Sequence, residues 1–213
     1  MISIFKKTNG ALATLETPIE GSWINAVAPD AAEIEQLRNF GVPQSFIMAA
    51  LDEDERARVD REGAASLIIV RVPYDLGEDE DIRYWTVPLG IVLVGEYIVT
   101  ICKFPNVVLD SVLQNRVHVP PTGKRNRLLL FLLQATAQKY LFYLRRINTV
   151  TDEIESRVKR SLQNEEVLEL LTYQKSLVYF MTGLRSNELM MQRLQKSQLF
   201  HLYPDDLDLL DDV

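Results

Sequence analysis

Clustered carboxylates are the side chains of this chain best placed to do chemistry. Asp52-Glu53-Asp54-Glu55 sets four in succession, and the run GEDED at 77–81 sets four more behind a glycine. Neighbouring hard oxygen donors suit a cation, while a run of like charge is equally the ordinary form of a solvated connection between elements. Both readings stand for 52–55. The 77–81 run reads first as a plain hairpin turn. The first run is not a calcium loop, because the sixth position from Asp52 is Ala57, where the sharp turn of such a loop requires glycine. His118 and His201 each lack a second ligand at metal spacing. Cys102, the single cysteine, lies within an apolar run and reads as a small core residue. Gly123-Lys124 fails as a phosphate loop: Arg125 stands where a serine or threonine belongs, and His118 stands at the upstream glycine position. GKRNR at 123–127 is expected to contact an acidic neighbour, such as the aspartate-rich end of the chain. No hydrolase, zincin, kinase or dinucleotide fingerprint occurs, so no catalytic residues are assigned and the chain is not read as an enzyme.

Composition alone does not say what the chain does, but it bounds the class. At 213 residues, with 47% hydrophobic and 25% charged side chains, the chain can bury a core and is neither disordered nor low in complexity. The net charge of -7 is uneven: about -8 over residues 1–123, +6 over 124–203 and -5 over the last ten. Overall acidity argues against a nucleic-acid partner, whose phosphates require a basic surface. Metal cations and basic partners fit better. No apolar run approaches the roughly 20 residues of a membrane span, and the start lacks the apolar core of a signal peptide. A lone cysteine cannot close a disulfide within the chain. The chain as given is expected to be soluble and cytosolic.

The elements that must position these groups follow from local pattern. Asn9-Gly10 joins two short β runs, 2–6 and 11–17, into a hairpin. SWINAVAP supplies a third strand, with Pro29-Asp30 as stop and N-cap of a helix that ends at Gly41. Pro43 starts a second helix, QSFIMAAL, and 52–62 reads as an exposed link. ASLIIVRVPY is apolar enough for a strand covered on both faces. A further hairpin, IRYWTVPLGIVLV and YIVTICKF, follows, with Pro88 marking an edge or bulge. A short helix over about 107–117 stops at Pro120-Pro121. Residues 122–203 contain no proline. They read as an antiparallel helix pair turning near Asn164, because one rod of 80 residues would reach roughly 120 Å. The expected apolar stripes are Leu144, Ile147, Val150, Ile154 and Val158 on the first helix. On the second they are Leu170 or Leu171, Gln174, Leu177, Met181 and Leu184. Tyr140, Phe142 and Tyr143 are expected to pack on the sheet or the partner helix, and Met190 and Met191 to belong to a stripe. Pro204 opens a third helix whose stripe, Leu207 and Leu210, is cut short, as in a fragment of a longer protein.

The ordered series Trp23-Ile24-Asn25, a helix, Phe40-Gly41-Val42-Pro43, then Arg56, Arg58 and Val59 before a buried strand, a hairpin ending YIVTICK and two long helices resembles the cytoplasmic part of the CorA family of divalent-cation transporters. The resemblance runs over almost the whole chain. It implies a mixed α+β or α/β fold: a small mixed sheet with flanking helices (1–121), a long antiparallel helical hairpin (122–203), and the start of a stalk helix (204–213). It also implies a homopentamer at the cell membrane, anchored through C-terminal segments that lie outside this sequence, with this region in the cytoplasm. The family's Gly-Met-Asn pore loop is absent from this chain. Family members sense Mg²⁺ through acids facing each other across subunits. One of these falls on Asp212 and the other on Ala49, which cannot bind metal, so Asp52 or Glu53 is expected to substitute if the helix reaches that far. The ligand implied is Mg²⁺, with Co²⁺, Ni²⁺ or Zn²⁺ as alternatives. A soluble oligomeric interaction protein of the same architecture is the competing reading.

Overall fold

The computed structural model describes residues 1–77, 80–114, 118–158 and 164–197. Its elements in chain order are β1 (Ile2–Lys6), β2 (Ala13–Leu15), β3 (Trp23–Val27), α1 (Ala31–Asn39), α2 (Gln44–Leu51), β4 (Arg58–Glu62), β5 (Ala65–Asp75), β6 (Tyr84–Val94), β7 (Tyr97–Cys102), α3 (Val107–Gln114), α4 (Arg125–Val158) and α5 (Asn164–Lys196).

The strands form one mixed sheet ordered β2-β1-β3-β7-β6-β5-β4. Every neighbouring pair is antiparallel except β3 with β7, which run parallel at the centre. Side chains alternate across the sheet as the strand period of two requires. In β5, Leu67 and Ile69 face a core shared with α1 and α2, while Ile68, Val70 and Val72 face one shared with α3, α4 and the end of α5. The sheet is thus covered on both sides, and the apolar run of β5 reflects that.

Local signals place the first helices well. The Asp30 side chain accepts from the Glu33 amide at 2.9 Å while Glu33 reaches back to the Asp30 amide at 3.0 Å, a complete capping box. α2 lies so close to the sheet that a Cβ at Gly90 would sit 2.5 Å from the Ala50 Cβ. Only glycine fits opposite it.

Two expectations are corrected. Residues 58–62, read as part of an exposed link, form β4, paired with β5 from Arg58↔Ile69 to Glu62↔Ala65. The strand is at the sheet edge, and the charges RVDRE that made it look like a link are what protects an edge from pairing with other chains. The second correction concerns α5. Leu177 (41% exposed), Met181 (67%), Leu171 and Leu184 point to solvent, while Ser176, Phe180, Met190 and Leu194 are buried. The buried seam is one position back from the stripe of large apolar residues. α5 packs on the sheet there through small and polar side chains: a Cβ on Gly183 would lie 2.9 Å from the Tyr140 hydroxyl and 3.0 Å from Thr86 Cγ2.

The stripe of α4 holds, with Ile147 and Ile154 buried. Tyr140 and Tyr143 are buried against Tyr84 and Phe180, while Phe142 is exposed. α4 and α5 run antiparallel: Arg157 pairs with Glu169 at one end, and Leu133 and Met190 line one cavity at the other. The turn between them and the helix expected from Pro204 lie outside the described residues. Pro88 stands where β6 has β5 beside it but has run past β7, whose pairing covers only Gly90 to Val94. This stretch of strand is a local edge, which tolerates proline.

Candidate functional site

The acidic loop begins where α2 stops. Its last residue is Leu51, and Asp52 already has extended backbone, φ -81° and ψ 116°. Neither Asp52 nor Glu53 is therefore on the helix, and the one-turn relation to Ala49 expected of them does not hold. Ala49 itself is buried at 9% exposure and offers no donor atom.

The loop's four carboxylates are in different situations. Asp52 is exposed, and its Oδ1 accepts from the Asp54 amide at 3.1 Å. The Lys103 ammonium donates to Glu53 Oε1 at 2.5 Å, so a cation at Glu53 would compete with a lysine for the carboxylate. Glu55 accepts from Arg58 Nε at 3.2 Å, and Arg58 also pairs with Asp60. That leaves Asp52 and Asp54 as the exposed acids of the run. Among the described residues no group of three or more His, Cys, Asp or Glu side chains is arranged to hold a metal ion. The loop is an anionic surface, not a finished cage within one chain.

Beneath the loop lies Arg71, nearly buried in β5. Its Nη1 donates to the carbonyls of Glu53 at 2.6 Å and Glu55 at 2.9 Å. Its Nε and Nη2 donate to Thr86, through the hydroxyl and the carbonyl. Burial pushes its pKa below the ordinary arginine value, and Tyr140, Asp54 and Asp52 pull the other way. A guanidinium satisfied by neutral oxygens inside the fold is costly unless every donor is used. Here those bonds fix the backbone of the loop. Sequence reasoning missed Arg71, though the signal was present: it is the single charge in ASLIIVRVPY.

The family-motif residues do something else. Trp23 and Ile24 are fully buried and Asn25 nearly so. Trp23 Nε1 donates to Thr100 Oγ1 at 2.8 Å, and the Thr100 hydroxyl donates to Asn25 Oδ1 at 2.8 Å. Asn25 and Thr100 are register partners across the parallel β3–β7 pair. Ile24 faces the opposite core, with α1 and α2. The motif is therefore a structural fastening at the sheet centre, not a ligand site.

The remaining candidates sort quickly. Cys102 is fully buried, and burial pushes its thiol up to about 12, so it is neither a nucleophile nor a ligand at neutral pH. Arg125, from GKRNR, donates to the Gly95 carbonyl. His118 belongs to no cluster able to hold a metal among the described residues. Asp212, His201 and two acids of the 77–81 turn lie outside the described residues.

A family model described as CorA-like Mg²⁺ transporter protein matches residues 20–213. The cobalt/magnesium transport protein CorA of Methanocaldococcus jannaschii is 26% identical over 188 residues, which covers 83% of this chain and 56% of that protein. The chain thus spans little more than half the length of this curated relative. The fold is similar to the soluble domain of CorA from the same organism, with a TM-score of 0.83 at 22% identity, covering all of this chain and 86% of that one. The complete CorA magnesium transporter of that organism gives a TM-score of 0.81 at 23% identity, covering all of this chain and 68% of that one. No described helix is long and apolar enough to cross a membrane. With a matching model over residues 20–213 and the same fold throughout, the chain belongs to the CorA-like Mg²⁺ transporter family.

Proposed function

We propose that this chain is the cytoplasmic, cation-sensing and gate-controlling portion of a CorA-like transporter for Mg²⁺ or a related divalent cation. The observation that carries the reading is the family match through residues 20–213, joined to a fold that covers the CorA soluble domain almost completely. In the full-length protein the chain assembles as a homopentamer and continues beyond Val213 into segments that cross the membrane and form the pore.

Sensing takes place between subunits. Asp52, with Glu53 beside it, and Asp212 are the acids assigned to this role, and a hydrated Mg²⁺ shared by carboxylates of neighbouring copies relieves their repulsion while keeping most of its water. The exposed position of Asp52 supports this role. Glu53 contributes only when Lys103 yields it. A cation that binds the closed ring better than the relaxed one shifts the population toward closure, and closure in turn tightens cation binding.

The test is thermal unfolding with and without millimolar Mg²⁺ at constant ionic strength. Binding at a hundredfold excess over the dissociation constant adds about 2.7 kcal/mol. Asp52→Ala and Asp212→Ala should each remove most of that gain. A full Mg²⁺ response in Asp212→Ala would remove that residue from the site, and no response in the native chain would end the sensing reading. The reading frame after Val213 tests the transport role separately: two hydrophobic segments of spanning length support it, and a stop codon there ends it.

A further inference from the structure

The chain is held at Arg71 from two directions. β4 pairs with β5 only as far as Ile69, so the peptide edge of β5 is open at Arg71. α5 fills the gap: the Arg71 amide donates to Asn187 Oδ1 at 2.8 Å, and Asn187 Nδ2 donates to the Arg71 carbonyl at 2.8 Å. Those are the two bonds a neighbouring strand would make. From α4, the Tyr140 hydroxyl donates to the same carbonyl at 3.1 Å. The guanidinium of that residue, meanwhile, grips the acidic loop through the carbonyls of Glu53 and Glu55. At the far end of the loop the Ala57 amide donates to Ser186 Oγ at 3.0 Å, one residue before Asn187.

We propose that Arg71 is the joint between the acidic loop and the helical hairpin: its side chain bonded to loop 53–55 and its peptide bonded to Asn187 and Tyr140 make the loop and α5 move together. The bonds are partly buried, and that from Tyr140 fully so, so stretching one leaves a donor or acceptor poorly paired, and the set breaks as a unit. Each member is far from the next in sequence, with 116 positions between Arg71 and Asn187. The joint is a property of the fold alone. Its use as a relay, carrying a cation's effect at Asp52 into the helices, rests on the cation-sensing reading above.

The experiment is a double-mutant cycle read by hydrogen–deuterium exchange on the 213-residue chain in metal-free buffer, following peptides over 53–57 and 183–190. Asn187→Ala should speed exchange over 53–57 by about fivefold or more, although Asn187 bonds to β5 and not to the loop. Arg71→Met should do the same over 183–190, although the guanidinium bonds to the loop and Thr86. Combining them should add little to either alone. If Arg71→Met does not fold, Arg71→Lys keeps the charge and loses the fork that spans both carbonyls, and the same readout applies. Ser186→Ala removes the direct bond from loop to α5 and should leave both cross-effects in place. Effects confined to the substituted segment, multiplicative effects in the double variant, or cross-effects that vanish with Ser186→Ala would each overturn the joint.

Adding millimolar Mg²⁺ then tests the relay. It should slow exchange in both segments of the native chain, and only in the loop of Asn187→Ala. Slowing of both segments in Asn187→Ala would overturn the relay. No effect on the native chain would remove the sensing reading, and the relay with it, while the metal-free cycle still decides the joint.

Discussion

Two polar clusters on this sheet, the Trp23–Asn25–Thr100 network and the Arg71–loop 52–57 assembly, are built in opposite ways. The first uses neutral groups, lies at the centre of the sheet and ties two adjacent strands. The second uses a buried cation under a charged surface loop, lies near the sheet edge and ties the loop to the helical hairpin. Trp23, Ile24 and Asn25 hold the centre of the sheet together, whereas the exposed acids proposed to meet a cation sit on a loop that the fold pins from below. Family membership is therefore a statement about packing first, and the chemistry must be located separately.

Substitutions test the contrast. Trp23→Ala removes a fully buried ring and the donor to Thr100, and should lower stability by about 3–5 kcal/mol in denaturant titration. A loss under about 1 kcal/mol would mean the motif is not a structural fastening. Thr100→Val keeps the shape and orphans the buried Trp23 indole nitrogen and Asn25 oxygen, and should cost about 1–3 kcal/mol by the same measurement. Asp52→Ala, on the exposed loop, should change stability by no more than about 0.5 kcal/mol in metal-free buffer. A large metal-free effect at Asp52 would place it with the fastening residues and erase the contrast.

Legibility followed the range of the signal. The Asn9-Gly10 hairpin, the Asp30 N-cap and the two long helices were readable because each rests on a local signal, a turn, a cap or a proline-free periodic run. β4 was not, because an edge strand protected by charge has the composition of a link. The stripe of α5 was misread because hydrophobicity singles out the large residues, while close approach to the sheet selected Gly183 and Ser176, whose hydroxyl accepts from the Tyr84 amide. Of the candidate site, the acids were visible and their partners were not. Lys103 is 50 positions from Glu53 and Ser186 is 129 from Ala57.

Periodicity, caps, turn chemistry and the order of short motifs along the chain were enough for the element types other than β4, for most of their ends and for the family. Long-range packing set the rest: that β3 lies parallel beside β7, which seam of α5 is buried, that Lys103 pairs with Glu53, and that Arg71 bonds both to the loop and to Asn187. The physical reason is that a local pattern fixes which surface a segment can present. Which surface it does present depends on the shape and unpaired hydrogen-bonding groups of segments far away in the chain.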